Sequence, residues 1–242
     1  MTADTYAGRR PSSDFLRGAR QSVPIVLAVV PFGLLFGALA VEHGLSTFEA
    51  ILMSATLYAG ASQMVGIDLF SSRIAPWVVV LSIVAVNFRH VLYSATIGRY
   101  LDHWTPLQRA VGFFFLVDPQ FAEAERRMER SEPLSFAWYM GLALPVYLCW
   151  VGETWLGALF GQLIPDTHTF GIDFILPIYF LALVMSFRKR PLWLPVVAIS
   201  AVASIIAYRT VGSPWHVSIG ALAGVFFGAL FTPAKPGKET GI

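Results

Sequence analysis

A single cysteine, Cys149, stands among 242 residues, so the chain forms no internal disulfide and no multi-cysteine metal site. Charge is also scarce. Only 13% of residues are Asp, Glu, Lys or Arg, about half the roughly 25% usual in a soluble domain, while 56% are hydrophobic. So few charges cannot cover the surface of a water-soluble globule of this size. Nucleotide-binding and hydrolase signatures are absent too. There is no Walker phosphate loop and no His-Glu-x-x-His, and Gly60-Ala61-Ser62-Gln63-Met64 fails the nucleophile-elbow pattern at its fifth position. The histidines (43, 90, 103, 168 and 216) are scattered, with no metal-ligand spacing. The slight net positive charge follows from membrane topology and gives no reason to expect nucleic-acid binding.

What the chain does have is apolar residues in long blocks. Blocks of about 17–25 residues cross the hydrocarbon core of a bilayer as helices, so the class is all-α, a polytopic integral membrane helical bundle. About eight membrane segments are expected: Ser22–Val41, Leu45–Phe70, Ile74–Ile97, Leu107–Phe121, Leu134–Leu163, Phe170–Phe187, Pro191–Arg209 and Trp215–Thr232. The fourth is too short for an ordinary span and is either tilted and buried or re-entrant. The fifth is longer than a span needs, and Glu153 falls where a helix starting at Leu134 would emerge.

Residues 1–21 read as a polar or interfacial lead-in, 22–232 as the transmembrane domain and 233–242 as a tail. The strongly charged stretch 122–133 reads as a solvated loop or surface helix. Eight crossings with both termini in the cytoplasm put most of the seventeen lysines and arginines inside, as the positive-inside rule requires. Gly33/Gly37 and Gly220/Gly224/Gly228 have the spacing that lets helices approach closely. No four-plus-four internal repeat aligns. Ser46 with Glu49 has the form of a helix capping box.

Two polar stretches interrupt the apolar blocks. Asn87-Phe88-Arg89-His90 places a guanidinium in mid-span, which costs roughly 2.5–3.5 kcal/mol on insertion scales. At about 100° per residue, Asn87, His90 and Ser94 share one helix face, and Ser82, Arg89, Tyr93 and Thr96 share the opposite one. A helix polar on both sides belongs inside the bundle. Arg89 then either caps carbonyls or pairs with a carboxylate such as Asp118, or lies on a substrate path. The second stretch is Tyr58-Ala59-Gly60-Ala61-Ser62-Gln63, with Ser54, Tyr58 and Ser62 at four-residue spacing. Its small residues suit a helix that unwinds mid-membrane and offers backbone groups to cargo, or simply tight packing. Gly60, Ala61 and Ser62 with the side chains of Tyr58, Gln63, Asn87 and Arg89 are the candidate substrate contacts. His90 and Asp118 are the candidates for a proton-coupling or polar network.

Pro31-Phe32-Gly33-Leu34-Leu35-Phe36-Gly37 with Ala40, Leu52-Met53-Ser54, Tyr58–Gln63 and Asn87-Phe88-Arg89-His90-Val91-Leu92-Tyr93-Ser94 together resemble the large subunits of branched-chain amino-acid exporters, the AzlC type. The resemblance runs in detail from about Gly18 to Gln120. It implies an exporter of branched-chain amino acids in a bacterial or archaeal plasma membrane, without cofactor, working with a small AzlD-type membrane subunit. Where the family tends to have Thr-Asp-Glu, this chain has Val117-Asp118-Pro119, so only Asp118 carries over. The residues alone leave open a passive channel or permease for another solute, and a membrane enzyme or assembly subunit.

Overall fold

The computed structural model describes residues 11–71, 75–160, 178, 181, 184–185, 187–212 and 215–231. The chain divides into two compact units, Met1–Ile175 and Leu176–Ile242. The first contains α1 (Pro11–Glu42), α2 (Thr47–Leu57), α3 (Gly60–Ser71), α4 (Pro76–Gly98), α5 (Pro106–Phe114), α6 (Asp118–Glu129) and α7 (Phe136–Phe160). The second contains α8 (Trp193–Thr210) and α9 (Trp215–Phe231). No strand occurs among the described residues. The span expected at Phe170–Phe187 falls largely outside them.

Helices α1, α4 and α7 have 32, 23 and 25 residues and are apolar enough to cross a membrane. At 1.5 Å per residue their lengths are about 48, 35 and 37 Å, against a hydrocarbon core of about 30 Å. The first begins at Pro11, well before the expected Ser22. α1 and α7 run parallel in close contact, because reciprocal glycines remove the side chains between them. A Cβ on Gly18 would lie 2.1 Å from the Trp138 carbonyl oxygen, and one on Gly141 would lie 2.1 Å from that of Phe15. Further along, Gly37 meets the Thr154 oxygen and Gly157 the Leu34 oxygen, both at the same hypothetical 2.1 Å. Polar clasps close the N-terminal end: Ser135 donates to Asp14 (2.8 Å) and the Trp138 indole to Gln21 (2.6 Å).

The second expected span is no span. It splits at Tyr58–Ala59 into α2 and α3, of 11 and 12 residues, or about 16 and 18 Å, each near half the core. α2 starts behind the far end of α1, with the predicted Ser46–Glu49 capping box in place. Along α2 the contacts with α7 move from Thr154 (Ser54) to Tyr147 (Ala55 and Tyr58). α3 then runs back: Gln63 returns to Ser54, and a Cβ on Gly66 would touch Met53. Tyr58 makes the reversal at φ +24°, a conformation that costs a non-glycine residue about 1–2 kcal/mol. The segment is therefore a re-entrant helical hairpin.

The fourth segment is a second hairpin, entering from the opposite end. α5 and α6 have 9 and 12 residues and are joined through Phe115–Val117. The loop before α5 touches the loop after α6, since the Trp104 indole donates to the Leu134 carbonyl (2.9 Å) and His103 reaches the same oxygen (3.0 Å). Both arms thus open at the end where α7 begins. In the first unit, five of the crossings expected from hydropathy give way to spans α1, α4 and α7 with two hairpins between them. Turning two crossings into hairpins leaves the parity of the chain unchanged.

The basic residues agree with this arrangement. Among the described residues of the first unit, Arg17, Arg20, Arg99, Arg109, Arg126, Arg127 and Arg130 lie at the end where α1 begins. Arg89 lies at mid-depth, and no lysine or arginine lies at the other end. By the positive-inside rule, the N-terminal end is the one expected on the cytoplasmic side. Arg99 and Arg109, expected outside under eight crossings, lie at the same end as Arg17 and Arg20. A labelling experiment checks it. In a Cys149→Ser background, Asp102→Cys and Arg130→Cys should both react from the cytoplasmic face, and Glu42→Cys from the opposite one; eight crossings would place 102 and 130 on opposite faces.

A repeat is now visible that sequence alignment did not find. α1–α2–α3 and α4–α5–α6 are each one span followed by a hairpin, in opposite orientation. Both first arms open with a capping box, Ser46/Glu49 and Thr105/Gln108. Both have a carbonyl near the C-terminus of the arm that accepts from a tyrosine of α7: Ala55 from Tyr147 and Gly112 from Tyr139, each at 2.9 Å. Both end on an aromatic C-cap, Tyr58 and Phe115, and these two rings meet edge-on at 6.3 Å. Ala55/Gly112, Tyr58/Phe115 and Gln63/Gln120 all recur at one interval along the chain.

In the second unit, α8 and α9 pack through the expected glycine stripe. A Cβ on Gly220 or Gly224 would strike Ser204 and Ser200, and one on Gly228 would touch Val196. That stripe makes an internal contact.

Candidate functional site

The two hairpin tips and the middle of α4 form the polar centre of the first unit. Arg89 and Asp118 form an ion pair at 3.2 Å, with side chains 23% and 11% exposed. Tyr93, one turn along α4, donates to the other Asp118 oxygen at 2.8 Å. Its ring stacks on Phe121 at 4.1 Å, fixing the start of α6 against α4. Asp118 is the first residue of α6, where the partial positive charge of the helix end also favours a carboxylate. Arg89 therefore pairs with the carboxylate that the sequence offered as its partner.

On another side of α4, Ser62 donates to Asn87 Oδ1, tying α3 to α4. The expected polar line Ser54–Tyr58–Ser62 does not exist, because the break at Tyr58 puts Ser62 on the returning arm. Ser54 faces α7 instead. It belongs to a closed ring of hydrogen bonds: Gln63 Nε2 donates to Ser54 (2.8 Å), Ser54 to Thr154 (2.7 Å), Thr154 to the Trp150 carbonyl (2.9 Å) and the Trp150 indole to Gln63 Oε1 (3.1 Å). Gln63, Ser54 and Thr154 are completely buried. The ring locks the first hairpin to α7. Gln63 serves as an anchor of that hairpin, with both amide atoms already occupied. Trp150 also lies over Gly60, where a Cβ would come within 2.9 Å of the ring, so the tip requires glycine at this position.

Tyr58 and Ala59 are buried at the tip, while Gly60 and Ala61 are half-buried. Around them Tyr58, Phe115, Tyr147 and Phe114 build an aromatic cluster, with centroids 5.0 Å apart for Tyr58–Tyr147 and 5.2 Å for Phe115–Tyr147. His90 follows Arg89 on α4. Its ring stands 5.8 Å from Tyr93, and its buried Nε2 has no partner among the described residues.

α4 is polar on two sides, toward Asp118 and toward Ser62. A third face, with Trp77, Val80, Val84, Phe88 and Val91, is exposed. Two features went unforeseen. Glu153, placed at the interface from sequence, is buried inside α7 against Gly33, where a Cβ would sit 2.5 Å from Oε2. Arg127, read as part of a solvated charged run, is 4% exposed; it donates to the Pro133 carbonyl (2.8 Å) and lies 4.4 Å over the Trp138 ring. The signal for Arg127 was its spacing from Gln120 and Ala124, one helical stripe that is buried throughout.

Broken helices that meet at mid-depth around a buried ion pair, inside an apolar bundle, define a polytopic membrane protein with a polar centre of the kind transporters use. The model for the AzlC protein family matches residues 24–164, most of the span-and-hairpin unit. The chain belongs to the AzlC family. It is 30% identical over 227 residues to the inner membrane protein YgaZ of Escherichia coli (strain K12), covering 90% of this chain and 89% of that one. A membrane protein of Archaeoglobus fulgidus is 36% identical over 151 residues, 62% of this chain and 64% of its own. The branched-chain amino acid transport protein AzlC of Bacillus subtilis (strain 168) is 23% identical over 165 residues, 67% of this chain and 63% of its own. No solved structure matches.

Proposed function

We propose that this protein is a secondary transporter that exports branched-chain amino acids across the plasma membrane, with a small AzlD-type membrane subunit as its partner. The observation that carries the reading is the Arg89–Asp118 pair where the hairpins meet. The pair has no net charge, and neither has an α-amino acid zwitterion. A carboxylate exchanges onto the guanidinium, which binds it in a two-pronged fork, while the ammonium exchanges onto Asp118. Charge balances at every stage, so no uncompensated ion need sit at the bilayer midplane. The aromatic cluster, beginning three residues before Asp118, offers apolar surface for an aliphatic side chain. Ser62 and Asn87 tie the first hairpin to another side of α4. The name of the Bacillus subtilis relative, a branched-chain amino acid transport protein, supports the substrate class.

The two hairpins give the site two sides. Each is held to the spans by a few specific hydrogen bonds, and each opens to one face of the membrane. Movement of one tip at a time would expose the pair alternately to cytoplasm and exterior, as inverted repeats do elsewhere. The test is efflux of leucine, isoleucine and valine from cells preloaded with a dipeptide source, with and without both subunits. All three should leave faster when both are present. Unchanged efflux of all three overturns the substrate assignment, and flux that ignores every imposed ion gradient in vesicles overturns secondary transport.

A further inference from the structure

Four glycines along the α1–α7 seam make room for backbone: a Cβ on Gly18, Gly37, Gly141 or Gly157 would strike a carbonyl oxygen of the facing helix. Gly33, on the same seam, makes room for an acid. A Cβ there would lie 2.5 Å from Glu153 Oε2 and 2.6 Å from Glu153 Cβ, so the glutamate side chain fills the space that the glycine leaves. Glu153 is 7% exposed. Its buried Oε2 has no hydrogen-bond partner, and no lysine, arginine or histidine among the described residues pairs with it. A carboxylate anion in such an apolar seam is far costlier than the neutral acid, because no cation offsets its lost hydration. The chamber suits a carboxyl that carries a proton.

The elements packed on α7 bring no base to this chamber. α1 carries no ionisable residue between Arg20 and Glu42, and Glu42 is its last residue. On α2 the only ionisable residue is Glu49, bonded to Ser46 at the start of that helix. α3 carries Asp68 in its last turn. α5 and α6 meet α7 near its beginning, at Tyr139 and Trp138, where Arg127 lies over the Trp138 ring. Farther along α6's start, Asp118 is paired with Arg89. On α7 itself Cys149 stands one turn before Glu153. The ionisable groups along this part of α7 are acids or a thiol, and a further negative charge gains nothing from them.

Position makes the proton useful. Glu153 lies seven residues before Phe160, about 10 Å inside the end opposite the arginines, the end expected outside. The first hairpin opens at that same end. On α7 the acid is flanked by Trp150 and Thr154, two members of the ring that locks this hairpin through Gln63 and Ser54. An anion at Glu153 draws water into the seam, and the hairpin anchor is built on the same turn of α7. We propose that Glu153 is the proton-binding site of the transport cycle, an inference that rests on the transport reading above. Its carboxylate takes one proton from water on the exterior side, forming one O–H bond. That bond breaks to cytoplasmic water in the opposite opening. One proton enters for each zwitterion that leaves, so each cycle carries one positive charge inward. Proton and cargo then oppose each other's binding, and that linkage is reciprocal.

The experiment compares wild type with Glu153→Gln, which keeps the size of the side chain and cannot titrate. Full-length protein is purified from cells that also express the small subunit and is reconstituted in lipid nanodiscs. Two quantities are followed from acid to alkaline pH: the infrared band of protonated carboxyl groups, and the apparent Kd for leucine. The wild-type spectrum should show a carboxyl band, shifted in heavy water, that Glu153→Gln lacks. Wild-type Kd should rise roughly tenfold or more on acidification. Glu153→Gln should hold one weak Kd across the whole range. In vesicles with an acidic lumen, wild type should accumulate leucine against its gradient and the variant should not. Glu153→Asp keeps a titratable group, so its band should move rather than vanish; this arm decides the matter if the glutamine variant fails to fold. An identical band in wild type and Glu153→Gln, or an unchanged pH dependence of Kd in the variant, overturns the proposal. If wild type binds none of leucine, isoleucine and valine at any pH, the transport reading falls instead, and the infrared band alone still decides whether Glu153 binds a proton.

Discussion

Arg89→Ala should abolish amino-acid efflux and sharply reduce the amount of folded protein. The arginine neutralises Asp118 at 3.2 Å, where the carboxylate is 11% exposed and Tyr93 is its other partner. Removing one member of such a pair leaves an uncompensated charge and costs about 3–5 kcal/mol, a large part of the stability of most proteins. Arg89→Ala combined with Asp118→Ala removes both charges, so folded yield should recover while efflux stays absent. Arg89→Lys keeps the charge without the planar fork and should fold with weakened transport. Folded yield by size-exclusion chromatography, measured beside efflux, separates the two roles. A double variant that transports normally would show the pair to be only a brace.

Gly37→Leu should be the most disruptive single change in the first unit. Even the first carbon of the new side chain would lie 2.1 Å from the Thr154 carbonyl oxygen and 2.7 Å from the Ala158 nitrogen. Both are backbone atoms of a helix, which cannot swing aside, so α1 and α7 must separate. The expected loss is on the order of 3 kcal/mol or more, at the upper end for overpacked cores. Gly152→Leu is the control, because nothing lies within 4 Å of a Cβ there. Thermal unfolding in detergent should show a large drop for the first and almost none for the second. Equal drops would mean that helix propensity alone is being measured.

How much of this could be read from the chain depends on what each signal measures. The helical class, the Ser46 capping box and the close-approach glycines each follow from local chemistry, and each is present; the Arg89–Asp118 pair is one of the roles that the sequence left open for that arginine. The small-residue stretch at Tyr58–Gln63 suited either a break or tight packing, and there is a break at Tyr58–Ala59. The direction of the chain beyond the break was hidden. Residues 45–70 hold enough apolar length for one crossing, and two half-length arms side by side have the same total. Hydropathy counts length and is blind to reversal. The same blindness concealed the inverted repeat, whose halves share anchors such as Ala55/Gly112 and Tyr58/Phe115 but pack different side chains around them. The burial of Arg127 and Glu153 depends on partners far away in sequence, Trp138 and Gly33, so no local window contained it.

The parallel pairing of α1 with α7 also bears on how the protein is made. The Ser135–Asp14 and Trp138–Gln21 clasps join residues 121 and 117 positions apart. At roughly 5–20 residues per second, a ribosome needs about 6–24 s to reach the second partner after making the first. During that interval α1 sits in the bilayer with its glycine groove unfilled. The short arms of both hairpins, each too short to cross alone, have no α7 to anchor to. Both hairpin tips must therefore settle late, after the fifth segment arrives. A chain cut before α7 would be a span without its mate, exposed to the membrane's quality-control proteases.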